Sequence, residues 1–538
     1  MHLLIVDTTG IQPYIFGSNR LRENIGASHL VAQATGEWAM ALMPSPHNIN
    51  AQTGVLTDAR LERDGLAAEV IYAGGGNFVA LFRDKDGAKE FTRKLSRKAL
   101  AEAPNLQLVI THQPFDWSKS LYEEVQDTFI KLAQEKRARA LSAPLLGLSV
   151  TVMCQSTGLP ATEVTPPIRD DKGYPAAAEI HAKIAVATRK GPQPSEADLR
   201  LGRQIPPPDG YDYPREFDDL GGTRGEHSYI AVVHADGNGM GDRIRRIGKG
   251  QANRDYIMAL RRFSGELEKS SEEALKKTLE QLAIPIKRDG GSLILHKNDA
   301  GKLLAKVELK KQAGGGSHYL PFRPIVFGGD DVTFVCDGRL GLSLAVEYLK
   351  QFEAHTAELP DGKGKATACA GVAIVKTHYP FARAYSLAEG LCNEAKKYLR
   401  RESLGGSGLD WHFALSGLSE DIGGIRRREY KDNTLTLRPV TLGDNAKDSS
   451  RAWDVVRGGI TSFQGERWAG RRNKVKALRD ALRESEGGSA VERFLTIFDV
   501  KEKLPDLGLG DDCKSKGWYG GRCAYFDAVE MLDWFIPL

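Results

Sequence analysis

Apolar residues along this chain fall into two rhythms. Short runs that are almost wholly apolar sit beside glycine: Leu3-Leu-Ile-Val6, Ala68 to Phe82, His227 to Asp236, and Pro324 to Cys336. They are too short for helices and rich in β-formers, so they read as buried strands. Elsewhere apolar residues recur every three or four positions, which predicts helices from about Arg20 to Met43, Asp86 to Ala101, Ser118 to Arg137 and Asp255 to Leu282. In the last of these, Ile257, Leu260, Phe263 and Leu267 share one stripe. Two more strands, Leu108 to Pro114 and Ala373 to Pro380, each lead into a helix rich in Glu and Lys.

The same order of signals occurs twice. One strand ends in Asp7 before Thr8-Thr-Gly10, and another ends in Asp236 before Gly237-Asn-Gly239. A strand, glycine turn and strand follow in both. Aligning Gly74-Gly75 with Gly328-Gly329 sets Gly76-Asn77 where Asp330-Asp331 stand. Repetition on this scale marks domains more firmly than propensity does. Each copy reads β-α-β-β-α-β, the ferredoxin-like arrangement of an antiparallel sheet with helices on one face. The expected class is α+β, with one such domain at 1–145, a small intervening domain and linker at 146–222, a second ferredoxin-like domain at 223–418 and a mainly helical domain at 419–538. Pro285 to Leu320 reads as a surface hairpin or flap, and the aromatic tail Tyr525 to Leu538 as a packed terminal helix. The basic clusters Arg426-Arg-Arg428 and Arg471-Arg472 read as solvated helix faces.

Composition alters this picture little. At 538 residues the chain is too long for one core, and about three or four domains are expected. Its 41% hydrophobic and 27% charged residues are ordinary for a globular protein. With 74 basic and 70 acidic residues the net charge is +4, which excludes a bulk polycation, so any phosphate binding must be local. The N-terminus turns polar too soon for a signal peptide, and no apolar run approaches membrane-spanning length; a cytoplasmic protein with no membrane partner is expected. The cysteines at 154, 336, 369, 392, 513 and 523 form no CxxC pair. That argues for a reducing compartment and against structural zinc, because Cys154 and a distant His181 cannot supply four ligands.

The candidate chemistry lies in the second copy. Asp330 and Asp331 follow Gly328-Gly329 at the tip of a strand-turn-strand unit. Adjacent carboxylates repel unless cations neutralise them, and their hard oxygens select Mg²⁺ or Mn²⁺. Aspartate is also ordinary in hairpin turns, so the pair alone leaves both readings open. Asp236, at the end of its own strand before a glycine loop, adds a third carboxylate in the second copy.

These residues resemble a known family. Ala235-Asp-Gly-Asn-Gly-Met-Gly241 together with Phe327-Gly-Gly-Asp-Asp331 is similar to the second palm of the CRISPR polymerase family, the palm-domain large subunit of type III CRISPR effector complexes. GGDEF diguanylate cyclases and class III nucleotide cyclases are more distant relatives. Gly10-Ile-Gln-Pro-Tyr-Ile-Phe16, Leu21-Arg-Glu23 and Gly26-Ala-Ser28 resemble the family's first palm, and Gly74-Gly-Gly-Asn77 resembles the inactive hairpin such first palms often carry. The resemblance implies two nucleotide-cyclase-type palms, the first degenerate and the second catalytic. It also implies metal-dependent attack of a ribose hydroxyl on a nucleotide α-phosphate.

On that reading Asp236, Asp330 and Asp331 are the catalytic residues and hold two Mg²⁺ or Mn²⁺ ions, with the Gly237 carbonyl as a further metal ligand. Gly237, Gly239, Gly328 and Gly329 bind nucleotide by letting phosphate approach the backbone, and Asn238 binds it by a hydrogen bond to ribose or phosphate, or else serves the geometry of its turn. Lys396 and Arg400, one helical turn apart, resemble the lysine and arginine that hold triphosphate in GGDEF cyclases. The implied substrate is ATP or another nucleoside triphosphate, and the product a cyclic nucleotide or cyclic oligonucleotide messenger in antiviral defence. RNA or other effector-complex subunits as activators, and a homodimer, stay open. The chain has no His-Asp dipeptide, so the nuclease domain that opens many family members is not expected. The competing expectation is a non-catalytic nucleotide-binding scaffold subunit of an RNA-guided effector complex.

Overall fold

The computed structural model describes all residues except 140–149, 168–171, 190, 192, 222–228, 313–315, 415–420, 432–433, 444–448, 485–487 and 498–502. The three domain limits drawn from the sequence, at 145/146, 222/223 and 418/419, lie outside the described residues. The fold is α+β. Contacts divide it into two units: Met1–Pro206 with Gly239–Glu272 and Glu358–Gly364, and Pro207–Asn238 with Glu273–Ala357 and Lys365–Leu538. No helix among the described residues is long and apolar enough to cross a membrane.

In the first unit β1 (His2–Thr9), β2 (Ala68–Gly74), β3 (Asn77–Phe82) and β4 (Gln107–Pro114) form an antiparallel sheet in the order β2-β3-β1-β4. The helices α1 (Leu21–Thr35), α2 (Lys85–Glu102) and α3 (Leu121–Ala138) fall between and after these strands. One core joins Leu4, Val6, Phe78, Ala80 and Phe82 of the sheet to Phe91 and Leu95 of α2. The helix expected to run on to Met43 stops at Thr35, because Gly36 adopts φ −112° and ψ −99°, outside the helical region, and a separate turn Glu37–Ala41 follows. The Leu21-Arg-Glu23 and Gly26-Ala-Ser28 segments have packing work to do. Glu23 accepts hydrogen bonds from Ser156 (3.0 Å) and the Tyr174 hydroxyl. Gly26 lies against α4 (Ala178–Ala187), where a Cβ would meet the Lys183 carbonyl at 1.9 Å.

The long helix α5 (Asn253–Arg288) gives its residues up to Glu272 to the first unit. There Arg254 and Arg261 both bind the fully buried Glu69 of β2, at 2.6 and 2.9 Å. Ile257, Leu260, Phe263 and Leu267 are buried as their spacing predicts. The helix outruns its expected end at Leu282, carrying Pro285 in its final turns. The segment after it forms a hairpin of Leu293–Lys297 with Leu303–Glu308.

In the second unit β5 (Tyr229–Gly237), β6 (Phe322–Val326), β7 (Asp331–Asp337), β8 (Ala368–Lys376), β9 (Ser407–Ala414) and β10 (Val440–Leu442) form a sheet in the order β6-β7-β5-β8-β9-β10. Its first four strands repeat the order of the other sheet, and β9 pairs parallel with β8. The helices α6 (Gly341–His355) and α7 (Phe381–Arg401) follow β7 and β8. The register corrects one sequence correspondence. Val109 lies opposite Asp7 and Cys369 opposite Asp236, so Leu108–Pro114 matches Ala368–Ile374 rather than Ala373–Pro380.

Later helices include α8 (Ile422–Glu429), α9 (Arg472–Glu484) and α10 (Phe526–Glu530). The tail is helical only over α10; beyond it Leu532, Phe535 and Ile536 are buried without continuing the helix. Of the cluster Arg426-Arg-Arg428 only the last two residues are solvated, since Arg426 is buried in an ion pair with Asp410.

Candidate active site

The hairpin joining β6 to β7 turns at Gly328 and Gly329, with φ values of 125° and 69° that only glycine adopts without strain. A Cβ at either position would meet nothing within 4 Å, so the need is conformational and the space over the turn is open. Asp330 closes the turn and Asp331 opens β7. The Gly237 amide donates to the Asp330 carbonyl at 3.1 Å, and the strand register sets Asp331 opposite Asp236. Opposed residues of a sheet share a face with Cβ atoms about 5 Å apart. Two carboxylates far apart in sequence therefore converge.

This crowding raises proton affinity. Burial and then the Asp236 charge push Asp330 up to about 6. Burial, Asp236 and Glu389 push Asp331 up to about 7. Half of the Asp331 side-chain surface still faces solvent. Its Oδ1 is nonetheless enclosed and accepts no hydrogen bond among the described residues. The nearest imidazole nitrogen, His234 Nδ1, stands 3.4 Å away but is hydrogen-bonded with the Thr333 hydroxyl at 3.1 Å, and burial lowers the His234 pKa and favours its neutral form.

Lys396 completes the cluster. Its Nζ donates to Asp236 Oδ2 at 2.5 Å and to the Gly237 carbonyl at 2.9 Å. Helix α7 comes this close because Gly371 of β8 lacks a side chain; a Cβ there would stand 1.9 Å from the Ala388 carbonyl. Residues of α7 spaced four, three and four apart then reach the acid end of the sheet. Tyr385 packs its ring against His234 with centroids 5.4 Å apart, Glu389 raises Asp331, Cys392 donates to the Cys369 carbonyl, and Lys396 meets Asp236.

The structure thus brings together Asp236, Gly237, Asp330, Asp331 and Lys396. Arg400 is exposed and makes no ion pair among the described residues. Asn238 is held by its turn: its amide N–H donates to the Thr367 carbonyl at 2.7 Å, and its side chain donates to the Thr367 hydroxyl and the Gly406 carbonyl. Gly239, counted in the first unit, adopts φ 66° and precedes the helix Met240–Arg246. Sequence reasoning missed His234, Thr333, Tyr385 and Glu389. The period of two was the available signal for the first pair, since His234 lies two before Asp236 and Thr333 two after Asp331. The helical stripe Tyr385, Glu389, Lys396 was the signal for the others.

The first sheet repeats the frame with one acid where the second has a cross-strand pair. Asp7 lies opposite Asn77, and Lys136 of α3, likewise missed, donates to the Asp7 carboxylate and the Thr8 carbonyl as Lys396 does to Asp236 and Gly237. Among the described residues no three His, Cys, Asp or Glu side chains are drawn close enough to hold a metal ion. The donor set of Asp236, Asp330 and Asp331 still suits a hard divalent cation: three carboxylates, two with raised proton affinity and one with an enclosed oxygen that accepts no hydrogen bond among the described residues.

Residues 229–405 match the family described as Cas10/Cmr2, second palm domain. No curated protein matches the sequence. The fold is similar to solved structures of a Csm1-Csm4 cassette in complex with cA3 (TM-score 0.54, 13% identity, covering 99% of this chain and 70% of that chain). It is also similar to the cassette in complex with one ATP (0.53, 14%, 99% and 70%). A third is the Csm1-Csm4 subcomplex in the type III-A CRISPR-Csm interference complex (0.51, 15%, 99% and 70%). At these identities the likeness is one of fold.

Proposed function

Because residues 229–405 match the Cas10/Cmr2 second palm domain and the chain's fold is similar to that of the Csm1-Csm4 cassette, we propose that this protein is a nucleotidyltransferase that turns ATP into a cyclic nucleotide or cyclic oligonucleotide in CRISPR-type defence. Both sheets are then ferredoxin-like palms, the first degenerate and the second catalytic. The observation that carries this reading is the cross-strand pairing of Asp331 with Asp236, beside Asp330 on an open glycine turn.

Asp236, Asp330 and Asp331, with the Gly237 carbonyl, would hold Mg²⁺ or Mn²⁺, which when bound supplies charge neutralisation at the phosphates and activates the attacking hydroxyl. The chain's own residues prepare for this. Gly328 and Gly329 leave the turn uncovered for a nucleotide. Lys396 neutralises Asp236, and its ammonium lies within reach of a phosphate at the same carboxylate. Loss of the second acid in the first sheet, where Asn77 faces Asp7, removes that sheet from the chemistry.

The test is to incubate the full chain with each nucleoside triphosphate and Mg²⁺ or Mn²⁺, with and without RNA, and resolve products by mass. Wild type should form a cyclic adenylate product. Asp330→Ala/Asp331→Ala should lose it by orders of magnitude, and Asn77→Ala should retain it. A second reading, a non-catalytic nucleotide-binding scaffold, draws on the Lys396–Asp236 ion pair, which satisfies that acid without a metal. It becomes the better one if wild type binds ATP yet forms no product under any of these conditions.

A further inference from the structure

The second unit holds a cavity of about 960 Å³ at the end of the sheet away from the acids. Tyr229, which lines it, opens β5, whereas Asp236 stands near that strand's close. Seven residues of extended chain separate them by roughly 23 Å.

The floor of the cavity is aromatic. Tyr229, Phe413 and Trp534 meet edge-on or tilted, with centroids 4.6 to 5.4 Å apart. One wall is cationic: Lys476, Arg479 and Arg483 recur at three- and four-residue spacing along one face of α9, and Arg383 of α7 also lines the cavity. Lys476 and Arg383 are exposed and make no ion pair among the described residues. Among the described residues Arg479 is paired only with its exposed neighbour Asp480 at 3.6 Å, and Arg483 lies over the Phe526 ring.

The acids of the lining are already engaged. Glu530 binds Arg438 and the Tyr430 hydroxyl, Asp533 binds Arg472, Asp421 caps α8 through the Gly424 amide, and Glu429 pairs with Arg428. Glu530, Asp533 and Glu429 are thus paired with arginines outside the lining while Asp421 keeps its charge, so the charge facing the cavity is positive on balance. A cationic wall above an aromatic floor, in a space of this volume, suits a ligand with one flat ring system and several negative charges.

We propose that this cavity is a binding site for a nucleoside polyphosphate, separate from the acid cluster, with the base on the aromatic floor and the phosphates against Lys476, Arg479, Arg483 and Arg383. The proposal does not rest on the catalytic reading of the second sheet. The site shares α7 with the acid cluster, because that helix lines the cavity with Arg383 and Ser386 and carries Glu389 and Lys396 to the acids.

The test measures ATP binding to the full chain by calorimetry in EDTA, which withholds divalent cations from the acid cluster. Wild type and Asp330→Ala/Asp331→Ala should bind ATP alike. Lys476→Glu/Arg479→Glu, changed at exposed positions and checked for native circular dichroism, should bind at least tenfold more weakly. Trp534→Ala should weaken ATP but not tripolyphosphate. The proposal is overturned if ATP does not bind in EDTA, if the Lys476→Glu/Arg479→Glu protein binds as wild type does, if the acid-cluster variant alone abolishes binding, or if tripolyphosphate binds as tightly as ATP.

Discussion

Asp330 and Asp331 are held above the usual carboxylate range, at about 6 and about 7, by burial and by the Asp236 charge. A native pKa above the unfolded value means that the folded chain binds more protons, so this contribution to stability is full below about pH 4 and fades as pH rises through 6 to 7. Metal-free protein should therefore lose stability across that window, and Asp330→Asn/Asp331→Asn should flatten the loss. Urea denaturation in EDTA at pH 4.5 and pH 8 checks this; equal pH slopes for wild type and variant would refute it. Lys396 and Arg400 should also separate. Lys396→Met strips Asp236 of its 2.5 Å partner, and kcat/KM for ATP should fall roughly tenfold or more, the scale of a lost hydrogen bond to a charged group. Arg400→Ala, at an exposed position, should act on KM with kcat kept.

The element that governs the cluster is α7, whose approach depends on Gly371. Gly371→Ala would place a Cβ 1.9 Å from the Ala388 carbonyl and 2.5 Å from the Cys392 amide nitrogen, both backbone atoms that cannot swing aside. Overpacking of this kind costs about 1–3 kcal/mol. The helix must lift, carrying Glu389 and Lys396 from the acids, so turnover should drop together with the urea midpoint. Gly390→Ala, on the same helix with open space around its Cβ, should change neither to that extent. Retained turnover in a destabilised Gly371→Ala protein would show that the cluster tolerates a shift of α7. The corresponding element of the first unit is α3, which presents Lys136 to Asp7. The spacing from Val109 to Lys136 equals that from Cys369 to Lys396, so strand and helix recur as one piece.

Across the second unit, buried charge ties late parts of the chain to the sheet. Arg438 is almost wholly enclosed, with Asp527 at 3.0 Å, Glu530 at 2.5 Å and the Trp411 carbonyl at 2.7 Å. Arg438→Met leaves Asp527 buried without its cation, and breaking such a pair costs about 3–5 kcal/mol; a thermal midpoint unchanged from wild type would contradict this. The strands, most helices and the three acids were legible in the order of residues, because period, glycine punctuation and adjacent charge are properties of near neighbours. Gly36 was passed over because a single glycine does not say which backbone angles it takes. Pro285 hid the end of α5 because a proline inside an apolar stripe reads as a stop until packing carries the helix through it. Which acid each partner meets was beyond any local pattern. Lys396 reaches Asp236 and Arg438 reaches Asp527 only after the sheet has stacked its strands and Gly371 has let a helix settle on them, and no neighbour-to-neighbour preference encodes a charge pair between distant stretches of chain.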